Sequence, residues 1–248
     1  MQFGRRTEAS AQARLLRPDN KVKLADGESL GTGTWAPDSF HLAFEDGGPV
    51  VGPKAYIVGS DGSGLRELPR TIDNISNLIW SPDQKSIHVS GGEKRGTRET
   101  PTVWRVNRDG PNKEKLVDDC GTVYDADPGG RYLLSLVVGS EKAGIYEVSI
   151  SDKKCIRLLP DVGANSVTFA PDGKSFLYAV ASRGQVTIFR QPWKDGKVIG
   201  VPQVALKVPF ALSSIYASGN AYDFSRDLST IVYARPGGHA DLYLLSQK

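Results

Sequence analysis

The 248-residue chain has few of the residues from which metal and redox sites are built: two cysteines, one methionine and three histidines. Cys120 and Cys155 are too few for a disulfide scaffold and lack metal-ligand spacing. They are expected as free thiols, with a single bridge open as the alternative. No apolar run approaches the roughly 20 residues of a membrane helix, so membrane insertion is not expected. The polar, Arg-containing N-terminus (1–16) lacks a signal peptide's apolar stretch. The location reads as cytoplasmic, or extracytoplasmic within a longer membrane-anchored protein. Neither sign of charge dominates: 31 Lys and Arg against 28 Asp and Glu give +3. The basic residues are scattered, so nucleic acid is not an expected partner. The only basic cluster, Lys94, Arg95 and Arg98, reads as a solvated loop, with Arg95 and Arg98 as candidate partner contacts. Helical periodicity is missing after residue 16, which leaves strands.

What is present is a repeat. Trp35-Ala36-Pro37-Asp38, Trp80-Ser81-Pro82-Asp83 and Phe169-Ala170-Pro171-Asp172-Gly173 recur, each before an apolar run. Two diverged copies align without gaps, one beginning at Asp125 (Asp125-Ala126-Asp127-Pro128) and one at Phe224 (Phe224-Ser225-Arg226-Asp227). The spacings are 80 − 35 = 45, 125 − 80 = 45, 169 − 125 = 44 and 224 − 169 = 55. Pro presets φ at a turn corner, Asp accepts backbone N–H groups and Gly tolerates positive φ, so the motif suits a strand-to-strand turn. Each copy continues into a second strand-like run, such as Val103-Trp104-Arg105-Val106 or Val186-Thr187-Ile188-Phe189. After the first four of these come a turn and a further short run. Four strands per repeat follow. Phe176, Tyr178 and Val180 alternate with Leu177 and Ala179, which fits a strand buried on both faces.

A lone four-stranded sheet of this kind leaves both faces wet, so the copies must stack. The expected fold is all-β, a β-propeller of about five four-stranded blades, with repeats near 27–69, 70–118, 119–161, 162–210 and 211–248. Six blades, or a piece of a larger propeller, remain open. The fifth copy ends after its third run. Residues 1–26 are expected to supply the closing strand, from Arg14-Leu15-Leu16 or Lys21-Val22-Lys23-Leu24.

The Trp/Phe-Ser/Ala-Pro-Asp-Gly-Lys turn, its apolar sequel and the Asp-Gly turns resemble the TolB-like, WD-repeat-like propeller repeats of bacteria, from about residue 27 onward. The stretch from Gly219 to Leu245 resembles propellers that follow bacterial serine/threonine kinase domains. The resemblance implies an interaction or sensing module that binds at a loop face or central channel. Asp127-Pro128 reads as a reversal of the Pro-Asp order, and Arg226 and Leu228 stand for Pro and Gly, so those two turns are expected to differ in shape.

Catalytic patterns fail. There is no Gly-x-Ser-x-Gly elbow, no His-Glu-x-x-His, no Cys-x-x-Cys and no kinase signature. His41, His88 and His239 lie in different repeats; the first two follow turns and are expected on strands, packed or at the surface. Gly31-Thr32-Gly33-Thr34-Trp35-Ala36 matches a dinucleotide fingerprint, but Pro37-Asp38 follows where a helix must begin. Gly173-Lys174-Ser175 mimics the end of a P-loop whose first Gly is here Thr168. Asp38, Asp83, Asp172 and Asp227 are explained by their repeated turns. No catalytic residue, metal ligand or cofactor site is expected. Trp193 has no counterpart in other turns and is a candidate contact anchor. The non-repeated stretches 47–53, 91–101 and 211–222 are where partners are expected. The function expected is a monomeric, non-enzymatic protein-binding module attached to or regulated through a kinase chain; the alternatives are a hydrolase or lyase acting at the channel mouth, and a spacer.

Overall fold

The computed structural model describes residues 14–16, 21–23, 30–46, 54–70, 73–95, 98–182, 185–209, 222–235 and 241–246. They form 22 strands and, among the described residues, no helix. The chain divides into two compact units, 1–123 and 124–248.

The first unit opens with β1 (Arg14–Leu16) and β2 (Lys21–Lys23), followed by two four-stranded sheets. These are β3 (Leu30–Trp35), β4 (His41–Asp46), β5 (Lys54–Gly59) and β6 (Arg66–Glu67), then β7 (Asn74–Trp80), β8 (Ser86–Arg95), β9 (Arg98–Asn107) and β10 (Lys113–Asp118). Both are antiparallel meanders in sequence order. Ala43, Ile57, Leu78, Trp80, Ile87 and Val106 form the core between them.

β11 (Thr122–Ala126) runs across the boundary and forms the third sheet with β12 (Tyr132–Val137), β13 (Gly144–Ser149) and β14 (Lys154–Pro160) of the second unit. The fourth sheet comprises β15 (Ala164–Phe169), β16 (Ser175–Ser182), β17 (Gln185–Lys194), β18 (Lys197–Val198) and β19 (Gln203–Pro209). The fifth has β20 (Tyr222–Phe224), β21 (Thr230–Arg235) and β22 (Asp241–Ser246). Alternation along β16 divides two cores. Phe176 and Tyr178 pack with Leu134, Ile145 and Trp193, while Leu177 and Ala179 pack with Ile188 and Leu228. A strand clad on both faces reads as continuously apolar, and this one does.

β1 and β2 pair with each other, Leu15 opposite Val22, and the fifth sheet has three described strands. One expectation is corrected. Neither cysteine is free: Cys120 and Cys155 are both disulfide-bonded.

Candidate functional site

The five repeated turns share one shape. In each, the residue after the aromatic position exchanges backbone hydrogen bonds in the same way. Ala36 N–H donates to His41 O (2.8 Å), as Ser81 does to Ser86 (2.9 Å), Asp127 to Tyr132 (2.9 Å), Ala170 to Ser175 (3.0 Å) and Ser225 to Thr230 (2.9 Å). Three residues later φ is positive: 58° at Ser39, 61° at Gln84, 67° at Gly130, 61° at Gly173 and 61° at Leu228.

This geometry corrects the alignment of the third copy. Ala126, not Asp125, holds the place of Trp35, Trp80, Phe169 and Phe224, and the spacings become 126 − 80 = 46 and 169 − 126 = 43. Pro128 keeps the corner that Pro37, Pro82 and Pro171 occupy, so no reversal occurs. Instead the capping carboxylate moves two residues back. Asp38 Oδ1 accepts from Phe40 N–H (2.8 Å) and His41 N–H (3.0 Å), and Asp172 Oδ1 from Lys174 and Ser175. In the third turn, Asp127 Oδ1 accepts from Arg131 N–H (2.5 Å) and Tyr132 N–H (2.7 Å). Arg226 and Leu228 do not alter the fifth turn, because the backbone bonds set its shape.

Each of the first four repeated turns lies beside the turn that ends its sheet's third strand. Ser60 N–H donates to Phe40 O (2.7 Å), Arg108 to Lys85 (2.8 Å), Ile150 to Arg131 (3.0 Å) and Trp193 to Lys174 (2.9 Å). One end of each of these sheets therefore carries a pair of adjacent turns, and several charged side chains meet there. In the first unit, Asp38 Oδ2 faces His41 Nδ1 at 2.7 Å, and Arg108 Nη2 meets His41 Nε2 at 3.0 Å. Because the guanidinium can only donate, the ring proton belongs on Nδ1, toward Asp38. Arg108 lies over the Trp80 ring at 5.8 Å, and Asp109 pairs with Arg66 at 3.1 Å. Backbone donation from His41 N–H, joined by the side-chain and Phe40 contacts, holds the Asp38 carboxyl down at about 2.

In the second unit, Asp125 sits between turns. Its Oδ2 accepts from Thr168 Oγ1 (2.6 Å) and Phe169 N–H (2.8 Å), its Oδ1 from Ala126 N–H (2.8 Å), and Arg226 pairs with it from the fifth turn. Burial pushes its pKa up, and Arg226 opposes the shift. Nearby, Trp193 Nε1–H donates to Glu147 Oε2 at 2.7 Å. Burial, opposed by the Trp193 bond and Arg131 and aided by Asp127 and Asp195, raises Glu147 to about 7.

Trp193 is not a surface anchor. It is 3% exposed, with its ring edge-on to Tyr132 (5.5 Å) and Phe169 (5.3 Å). Trp80 and Phe169 are buried in equivalent places, and Trp80 Nε1–H donates to Thr34 O at 3.1 Å. His88 is buried on β8, while His239 lies outside the described residues. Within the stretch 91–101, residues 91–95 end β8 and 98–101 begin β9, with Arg95 opposite Arg98; the side chains of those two arginines lie outside the description. Residues 47–53 and 211–221 also lie outside it. No group of three metal-ligating side chains comes together among the described residues. Sequence reasoning missed Glu147 and Arg108. A carboxylate inside the apolar run Ile145-Tyr146-Glu147-Val148 was the available signal for the first, since buried charge demands a partner.

No family model matches the chain, and no curated protein matches it. Solved structures do. TolB from Acinetobacter baumannii aligns over 84% of this chain and 50% of its own, with a TM-score of 0.61 and 19% identity. The β-propeller domain of the Trilobed protease from Pyrococcus furiosus aligns over 90% and 69%, at 0.54 and 16%. An oligogalacturonate lyase from Vibrio parahaemolyticus aligns over 68% and 50%, at 0.54 and 16%. The fold class is therefore a TolB-like β-propeller, and the chain spans about half the length of the TolB and lyase structures.

Proposed function

We propose that the chain is a non-enzymatic propeller module that binds a protein partner through the turns of its sheets, as the sensing or scaffolding part of a kinase-linked signalling protein. One observation carries the reading. The residues that depart from the repeat, Asp125, Asp127 and Arg226, are not scattered but are held by hydrogen bonds and ion pairs among the turns. A rigid repeated scaffold with individualised turns is a common design for binding surfaces. The kinase link rests on the resemblance of residues 219–245 to kinase-associated propellers. Two oxidised cysteines favour an oxidising compartment.

The test is lysine-reactive cross-linking of the intact chain in its native extract. A partner attached at Lys85 or Lys174, in the turns, is the expected result. Attachment confined to other edges, or none above background, refutes it. The likeness to a lyase supports a second reading, an enzyme acting among the turns. Turnover of any substrate in a polysaccharide-lyase and peptidase panel, abolished by Asp125→Asn, would favour that reading instead.

A further inference from the structure

The fourth sheet departs from the repeat beyond Arg190. There β17 runs on to Lys194, turns through Asp195 (φ 43°) and Gly196 (φ 81°), and returns as β18. The loop that follows, 199–202, is braced from beneath. Gln191 has no exposed surface, and its Nε2 donates to the carbonyls of Pro192 (3.1 Å), Ile199 (3.3 Å) and Gly200 (3.4 Å). Ile199 N–H returns a bond to Pro192 O at 2.9 Å, and Gly200 supplies the positive φ of 67°. A buried amide whose two N–H groups are shared among three backbone carbonyls ties the loop to β17.

The side chains of that loop are nonetheless left in water. Ile199 is 49% and Val201 75% exposed, and Ile156, on β14, a strand that contacts β18, is 47% exposed. Of the large apolar side chains of the same unit, Phe169, Phe176, Leu177 and Trp193 are buried, while Val138 (72%) and Val204 (52%) are exposed as well. Lys154 at the start of β14 and Lys194 and Lys197 at the hairpin tip are exposed and make no ion pair among the described residues. Apolar side chains on a prefixed backbone lose little entropy when covered, which is what an anchor for a partner requires. Unpaired ammonium groups around them select carboxylates.

We propose that Ile156, Ile199 and Val201, with Lys154, Lys194 and Lys197 as their rim, dock an acidic protein segment that carries apolar side chains among its carboxylates. This inference rests on the protein-binding reading and names the partner's chemistry. The experiment pans a random-peptide phage pool on the intact chain. Two variants serve as comparisons, Ile156→Ser/Ile199→Ser/Val201→Ser and Lys154→Glu/Lys194→Glu/Lys197→Glu, with thermal melts confirming that both fold. The expected peptides are rich in Asp and Glu around apolar residues and bind each variant about tenfold or more weakly than the parent. Neutral or basic peptides, or peptides that bind the serine variant as tightly as the parent, overturn the patch. If such peptides are lost instead on Lys85→Glu/Lys174→Glu, the turn-binding reading stands and the patch alone fails. Selection of no peptide overturns the patch, while captured partners in the cross-linking experiment still decide the broader reading.

Discussion

Replacing Glu147 by Gln isolates the energetic cost of one buried carboxylate. Glu147 is 2% exposed, and its pKa rises from 4.5 to about 7 through burial and the nearby Asp127 and Asp195, against the Trp193 bond and Arg131. A carboxyl whose folded pKa lies above its unfolded value binds its proton more tightly when folded. Its contribution is therefore fully present below pH 4.5 and is lost as the pH rises to about 7. At 1.36 kcal/mol per pKa unit, a shift of 7 − 4.5 = 2.5 corresponds to about 3 kcal/mol. Gln mimics the protonated acid and still accepts the Trp193 N–H bond through its side-chain oxygen. In denaturant unfolding across pH 4–8, Glu147→Gln should match the parent at pH 4 and exceed it by up to about 3 kcal/mol at pH 8. That corresponds to roughly 6–12 °C in Tm. A stability difference independent of pH, or a variant weaker at every pH, would refute the reasoning.

The buried His88 gives the opposite slope. Neither ring nitrogen has a partner among the described residues, and burial, then Arg105, lowers its pKa from 6.5 to about 4. The parent should lose up to about 3 kcal/mol on this account as pH falls from 6.5 to 4. His88→Leu should remove that loss and add about 1 kcal/mol at pH 7, measured by the same titration. Asp127→Ser should cost about 2 kcal/mol by stripping the third turn of its cap, and adding Gly129→Asp should restore most of it, as Ser81 and Asp83 do in the second turn. A double variant no better than the single would show that the turns are not interchangeable. Gln84→Gly should raise stability by about 0.5–1 kcal/mol, since Gln84 holds φ at 61°; a lower melting temperature would count against this.

Much of the fold is legible in particular residues. Pro37-Asp38, Pro82-Asp83 and Pro171-Asp172 mark turns because each residue type has its own backbone preference, a local property that needs no neighbours. The doubly apolar β16 announces stacked sheets for the same reason. The third turn was misread by one residue, since Asp127 takes over a role defined by hydrogen bonds that letters do not display. Local chemistry in the sequence thus determined the strands, the turns, the repeat and the all-β class. Tertiary structure alone decided which groups meet over long separations: Asp125 with Arg226, Glu147 with Trp193, His41 with Arg108, and the oxidised state of both cysteines. Those meetings depend on how strands far apart in sequence stack, and it is that stacking that buries Trp193 and leaves Ile199 in water.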